Sequence, residues 1–465
     1  MRTAPAGSLL ACLLLSAGCA ARAYQPAPIS PPASAASFSA RTLADPGLKI
    51  FIEDNLHGAL PVWPPESWDL TMLTLAAFYY HPDLDVARAQ LAQAEAAVVT
   101  AGEHRNPSIK ITPGRTMDVP SPWLMSFNFS LPLETAGKRG YRIARARHLA
   151  ESARVSLAVV GWQVRQRVRG ALLDRLTAQR TRQLLGNELQ ARTRILTLME
   201  RRVTAGEAGR VDLASPQTAL AETTLAAAAT EGRIVQARAA LAAAIGVPET
   251  SLATIAVSWP DLDSPPAEST LPEEAIQRAA VLNRLDIHRS LAEYDAADAA
   301  LRLEIAKQFP DLAIGPTYEL DEGANKFFFG LLSVTLPLRN RTQGPIAEAE
   351  ARRIEAAARV LSAQARGIGE SAQALARYRA ALVALADASL QTIAARQTGL
   401  IRRRVALGEA DQTELAATIA REAVAEMVRL AAAREAQVAL GVLEDAIQRP
   451  LPLDASEIRA DRVIR

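Results

Sequence analysis

The chain repeats itself over half its length. Arg201-Arg202-Val203-Thr204-Ala205-Gly206-Glu207-Ala208-Gly209-Arg210-Val211-Asp212-Leu213 returns as Arg403-Arg404-Val405-Ala406-Leu407-Gly408-Glu409-Ala410-Asp411-Gln412-Thr413-Glu414-Leu415, with seven identities at an offset of 202. Ser130-Leu131-Pro132-Leu133 returns as Thr335-Leu336-Pro337-Leu338, at an offset of 205. Two marks repeated in the same order imply a duplicated unit, too large for a small solenoid repeat. The fold must therefore accommodate two copies of one helix-strand-strand-helix module.

Each copy contains a proline-free helical stretch. Lys138 to about Val203 would reach about 100 Å at the rise of an α-helix, and Thr342 to about Val405 is nearly as long. Each ends at the Val-x-x-Gly-Glu-Ala mark, where glycine allows a reversal. Return helices follow over about 211–245, with Ser215-Pro216 as a cap and first turn, and about 412–443. Aromatics are only 5% of the 465 residues, and alanine-rich spacing suits close antiparallel helix packing.

Before each long helix lies a strand pattern. Trp123, Met125, Phe127, Phe129 and Leu131 alternate with Leu124, Ser126, Asn128 and Ser130, the period of a strand between two environments. Five of the nine phenylalanines, Phe127, Phe129, Phe327, Phe328 and Phe329, fall in the two strand regions. The pattern fits a soluble hairpin packed on helices or a lipid-facing outer-membrane strand, and the N-terminus favours the second. There Arg2, an apolar run from Ser8 to Leu15 and Ser16-Ala17-Gly18-Cys19 resemble a bacterial lipoprotein signal, with Cys19 as the lipidated residue. A plain secretory signal is the simpler alternative. The two cysteines, Cys12 and Cys19, both lie here, so no disulfide staples the body. No later run is long and apolar enough for a membrane helix.

The predicted organisation is a signal over 1–18 and an extended Pro-rich leader over 19–66. A first repeat follows over 67–257, with strands at about 107–133 and a hairpin at about 138–245. A linker over 258–271 leads to the second repeat over 272–447, with strands at about 310–338 and a hairpin at about 342–443. A tail occupies 448–465. The fold class is mainly α with a small β part. Four strands cannot close a useful barrel, and open edges in lipid leave costly unpaired backbone groups. Copies must combine; two give eight strands whose interior side chains largely fill the barrel, and three give twelve, enough for an open lumen.

These marks resemble the TolC-type outer-membrane efflux proteins over about 67–447. Tyr24-Gln25-Pro26, Trp68-Asp69-Leu70, Pro82-Asp83-Leu84, Asn106-Pro107-Ser108, Leu131-Pro132-Leu133, Leu336-Pro337-Leu338 and the Gly-Glu-Ala tips carry the resemblance. Glu134-Thr135-Ala136-Gly137-Lys138-Arg139 is most similar to the heavy-metal efflux branch, the CzcC and CusC type. The resemblance implies a homotrimer with a twelve-stranded barrel in outer-membrane lipid and a long periplasmic α-helical barrel. It implies hairpin tips that meet a periplasmic adaptor joined to an inner-membrane pump, with docking at Val203, Gly206, Val405 and Gly408. Carboxylates at the tips (Glu207, Asp212, Glu409, Asp411), with Arg210 and Arg404 as partners, are candidates for a periplasmic gate, Asp411 foremost. Charge pairing on solvated helix ends explains them equally.

Nothing in the chain predicts an enzyme, a cofactor or a metal site. The five histidines are scattered without ligand spacing, and the net charge of +2 gives no case for nucleic acid. Two further readings remain open. One is an exit duct for drugs or for type I protein secretion. The other is a lipid-anchored periplasmic adaptor or scaffold, which would need one hairpin and many short strands.

Overall fold

The computed structural model describes residues 22–115, 117, 123–253, 255–321, 324–334, 341–387 and 390–451. Cys12, Cys19 and the expected signal over 1–18 lie outside the described residues, as do Leu336-Pro337-Leu338 and most of the tail.

Two short helices, α1 (Pro31–Ser39) and α2 (Pro46–Leu56), precede β1 (Ser67–Trp68), α3 (Leu70–Tyr80) and α4 (Pro82–Gly102). The first repeat continues with β2 (Ser108–Arg115), β3 (Trp123–Leu133), α5 (Lys138–Thr204), α6 (Ala214–Ile245) and β4 (Ala256–Val257). The second contains α7 (Glu273–Leu282), α8 (Leu285–Ala306), β5 (Leu312–Asp321), β6 (Ala324–Val334), α9 (Gln343–Asp387), α10 (Leu390–Ala406) and α11 (Gln412–Ile447). The 67 residues of α5 extend about 100 Å at helical rise. Among the described residues no helix is long and apolar enough to cross a membrane.

The leader expected to be extended over 19–66 is corrected. It contains α1 and α2, and its second half is docked on the body. Proline fits at the first position of α2 because that N–H has no helical partner. The Asp45 carboxylate caps the helix, accepting from the N–H groups of Gly47 at 2.6 Å and Leu48 at 3.1 Å. Leu43, Leu48 and Ile52 are buried, a tertiary contribution that short segments do not advertise. Arg41 fastens the segment by donating to the carbonyls of Tyr80 at 2.9 Å and Gly246 at 2.8 Å.

The core lies at mid-length of the long hairpins, in two clusters. One joins α2, α3 and the start of α4 to Leu157–Leu176 of α5 and the end of α6. The other joins α7 to Leu375 and Tyr378 of α9 and the C-terminal half of α11. The connection over 258–271 is packed between repeats: Leu262 and Leu271 are buried, and Tyr378 donates its hydroxyl hydrogen to the Pro266 carbonyl at 2.6 Å. Just before it, β4 pairs in parallel with β1, a two-residue ladder too short to leave a period in the sequence.

The larger sheet runs β2-β3-β5-β6, antiparallel throughout. The two strand pairs thus lie side by side. Its outer strands, β2 and β6, come from opposite halves of the chain, and each pairs on one side only.

Candidate functional site

Register sorts the sheet into two faces. Ile111 pairs with Phe127, Phe127 with Tyr318, and Tyr318 with Phe327, so these four share one side. The flanking row on that side holds Ile109, Phe129, Pro316 and Phe329. Along β3 the same face carries Trp123, Met125, Phe127, Phe129 and Leu131, the residues expected from alternation to form an apolar band. Trp123 is 67% exposed, while Phe127, Phe129 and Leu131 are each 38% exposed. The opposite face carries Thr112, Ser126, Glu319 and Lys326 in one row, and Lys110, Asn128 and Thr317 in the next. There the Thr317 hydroxyl donates to Asn128 Oδ1 at 2.6 Å. Strands of 8 to 11 residues match those that cross a bilayer at a tilt.

Where the sheet meets the helices, the Glu134-to-Arg139 motif forms a clamp between the repeats. Gly137 takes φ +71° at the start of α5, a conformation glycine adopts without strain. This turn buries Lys138, whose Nζ donates to the Phe309 carbonyl at 2.6 Å and to Asp311 Oδ1 at 2.5 Å. Thr135 adds an N–H to Asp311 Oδ1 and a hydroxyl to the Pro310 carbonyl at 2.6 Å. Glu134 binds Arg142 through both guanidinium nitrogens, and Arg105 bridges it to Asp311 at 3.6 and 3.3 Å. The Arg142 hydrogen bonds hold the Glu134 carboxyl below its usual range. Burial pushes the Asp311 carboxyl up, but the bonds from Lys138 and the Thr135 N–H outweigh it and leave it low.

At the far ends, the repeated marks adopt one geometry twice. Gly206 and Gly408 have φ +77° and +76°. Each glycine N–H donates to the valine carbonyl three residues back, at 3.1 Å. The next N–H closes the helix end: Glu207 to the Arg202 carbonyl and Glu409 to the Arg404 carbonyl, both at 2.8 Å. This is the glycine-terminated Schellman closure. A Cβ on either glycine would meet nothing within 4 Å, so the backbone dihedral alone demands glycine.

After the glycines the tips diverge. In the first, a 3-10 turn over Arg210–Leu213 delays α6, and Asp212 accepts the Gly209 N–H at 2.8 Å. Ser215-Pro216 therefore lies inside the first turn of α6 and does not cap it. In the second, Asp411 caps α11 directly, accepting from the Thr413 N–H at 3.3 Å. Asp411 also pairs with Arg202 of the other hairpin. Burial raises the Asp411 carboxyl, but the Thr413 hydrogen bonds and the Arg202 charge hold it below its usual value.

Of the six expected gate residues, the structure joins Asp411 to a cation that sequence reasoning missed, Arg202. Arg404 faces Glu414 at 3.8 Å and donates to the Glu409 carbonyl at 3.2 Å. Glu207 and Arg210 are exposed and have no ion pair among the described residues. Val203 and Val405 are half-buried. The exposed apolar side chains at the tips are Val211 and Leu407, at 85% and 73%. No cluster of metal-ligating side chains occurs among the described residues.

A family model described as "Outer membrane efflux protein" matches residues 77–247, from α3 through the first hairpin. The cobalt-zinc-cadmium resistance protein CzcC of Cupriavidus metallidurans is 28% identical over 304 residues, 64% of this chain and 71% of that protein. Over these residues the chain is similar to the outer membrane efflux proteins. Among the described residues, two helical hairpins and a sheet of four long strands do not fit the adaptor reading, which needs one hairpin and many short strands. Solved structures of outer-membrane channels share the fold of this chain. The Vibrio cholerae outer membrane protein VceC aligns with TM-score 0.64 and 18% identity, covering 82% of this chain and 96% of VceC. The open state of the Neisseria gonorrhoeae channel MtrE gives 0.65 and 18%, with 83% and 91% covered. CusC gives 0.62 and 16%, with 83% and 94% covered.

Proposed function

We propose that this chain is an outer-membrane efflux channel, the exit duct of a three-part export system for heavy-metal cations. In this reading three copies close a twelve-stranded barrel, because β2 and β6 present unpaired edges that lipid does not tolerate. The apolar face, with Trp123, Met125, Phe127, Phe129 and Leu131, meets lipid, and the polar face lines the lumen. Acylated Cys19 adds a second attachment to the membrane, worth roughly 0.8 kcal/mol for each buried CH₂.

The tips dock a periplasmic adaptor that joins the duct to an inner-membrane pump. The Val203-Gly206 and Val405-Gly408 turns shape the docking ends, and exposed Val211 and Leu407 supply apolar contact. Unequal side chains at equivalent places make the two tips unequal partners. Asp411 and Arg202 tie the hairpins in the resting state, while Glu207, Asp212 and Glu409 raise the local cation concentration.

The observation that carries the metal assignment is the likeness to the cobalt-zinc-cadmium resistance protein over 304 residues. Metal is cargo in this scheme, and a water-filled duct need not chelate it. Deletion of the gene should sensitise cells to zinc, cobalt or cadmium, with rescue by the full chain. Sensitivity confined to dyes and detergents would overturn the metal reading in favour of a drug duct.

A further inference from the structure

Phe328 breaks the rule that sorts the sheet. Phe327 and Phe329 lie on the apolar face with Tyr318 and Pro316, their register partners. Phe328 pairs with Thr317, which pairs with Asn128, which pairs with Lys110. Its side chain therefore projects from the polar face, where it is 54% exposed. It is the one aromatic residue on that face among the described residues. The three-phenylalanine run has no period, so only register assigns its middle member.

The neighbours of Phe328 on this face are largely engaged. The Thr317 hydroxyl is spent on Asn128 at 2.6 Å, and the Asn128 amide donates to Ser126 at 3.1 Å. Lys326, two residues earlier on β6, binds Asp321 at 2.8 Å. Glu319 is the exception. It stands opposite Lys326 in register, yet makes no ion pair among the described residues. Across a strand pair such a diagonal neighbour lies roughly 7–8 Å from Phe328, within reach of one bound molecule. An aromatic face beside an unpaired carboxylate suits one chemistry: a cation with an apolar body. The ring attracts the positive charge through its quadrupole and covers the apolar part, while the carboxylate supplies the longer-range attraction.

We infer that Phe328 and Glu319 form a contact on the channel wall for organic cations that carry an aromatic group. The inference rests on the barrel reading above, which places the polar face toward the lumen. It gives the duct a weak specificity of its own, independent of the pump. Three-fold closure would repeat the contact three times around one level of the wall.

The test uses the full chain in planar bilayers, with benzyltrimethylammonium and tetramethylammonium as blockers of single-channel current. The benzyl compound should block more strongly. Phe328→Ala should weaken its block by roughly two- to fivefold, the worth of one exposed cation–π contact, and Phe328→Trp should restore it. Glu319→Gln should weaken both blockers alike. Labelling fixes the face: a water-soluble thiol reagent should modify Phe328→Cys and spare Phe329→Cys in the membrane. A chain that conducts no current overturns the export reading itself. A conducting channel with unchanged benzyl block in Phe328→Ala, or with the labelling pattern reversed, overturns the Phe328 contact alone.

Discussion

Arg202 and Asp411 join the two hairpins at their tips. Arg202 stands in the last turn of α5, and Asp411 caps the first turn of α11. One carboxylate thus holds a helix end in its own hairpin and a cation in the other. The pair is nearly half exposed, so its worth to stability is small, about 0–1 kcal/mol, and its effect should lie in how the tips are spaced. Asp411→Ala or Arg202→Ala should raise resting conductance in planar bilayers with little change in thermal stability. The exchange Arg202→Asp with Asp411→Arg should bring the conductance back down. Unchanged conductance in both single variants would remove the pair from the gate.

Acid should open the same tie only at low pH. The Asp411 carboxyl lies below its ordinary value of 3.8. A lowered value means the attraction is present above that ordinary value and is lost as pH falls through the folded one. Conductance recorded from pH 7 downward should stay flat until beneath pH 3.8. Asp411→Ala should lack the acid rise. An opening centred near pH 6 would point to another group.

The tip glycines should resist any side chain that dislikes a left-handed backbone. Gly206→Ala or Gly408→Ala should cost roughly 1–2 kcal/mol of local stability, with no clash to relieve. Hydrogen exchange at the Glu207 and Glu409 amides reports it directly, because those N–H groups close the turns. Asparagine, which tolerates this conformation better, should be the milder replacement. Metal resistance should fall in the order glycine, asparagine, alanine.

The duplication, the strand face of β3 and the glycine turns were legible because each imposes a local period or a local backbone demand. The Glu134-to-Arg139 motif was legible as a family mark but not as a clamp, since its partner Asp311 is 173 residues from Lys138. Arg202 escaped for the same reason: 209 residues separate it from Asp411, and only the side-by-side packing of hairpins brings them together. The helices of the leader escaped because α1 and α2 are short, and α2 owes its place to burial and to Arg41. Phe328 escaped because three consecutive aromatics carry no alternation.

The clamp at the sheet–helix junction should be costly to break. Lys138 is buried, with 8% of its side chain exposed, and Asp311 keeps 24%. Lys138→Met leaves the Asp311 carboxylate with the more distant Arg105 and should cost about 3–5 kcal/mol, toward the lower end given that exposure. Loss of the heat-resistant oligomer on gels measures it. Lys138→Arg keeps the charge but not the compact fit, and should recover only part of the loss.

The two faces of β3 should respond in opposite ways to one charge. Phe127 and Ser126 are adjacent, near the middle of the strand, and face opposite sides of the sheet. An arginine on the lipid side of a barrel near the bilayer midplane costs about 2–4 kcal/mol, whereas the lumen side tolerates it. Phe127→Arg should therefore reduce assembly in the outer membrane, read by heat-modified migration of the band. Ser126→Arg should assemble normally and shift ion preference toward anions, because three added cations would then line one level of the lumen. Normal assembly of Phe127→Arg together with failure of Ser126→Arg would invert the sheet.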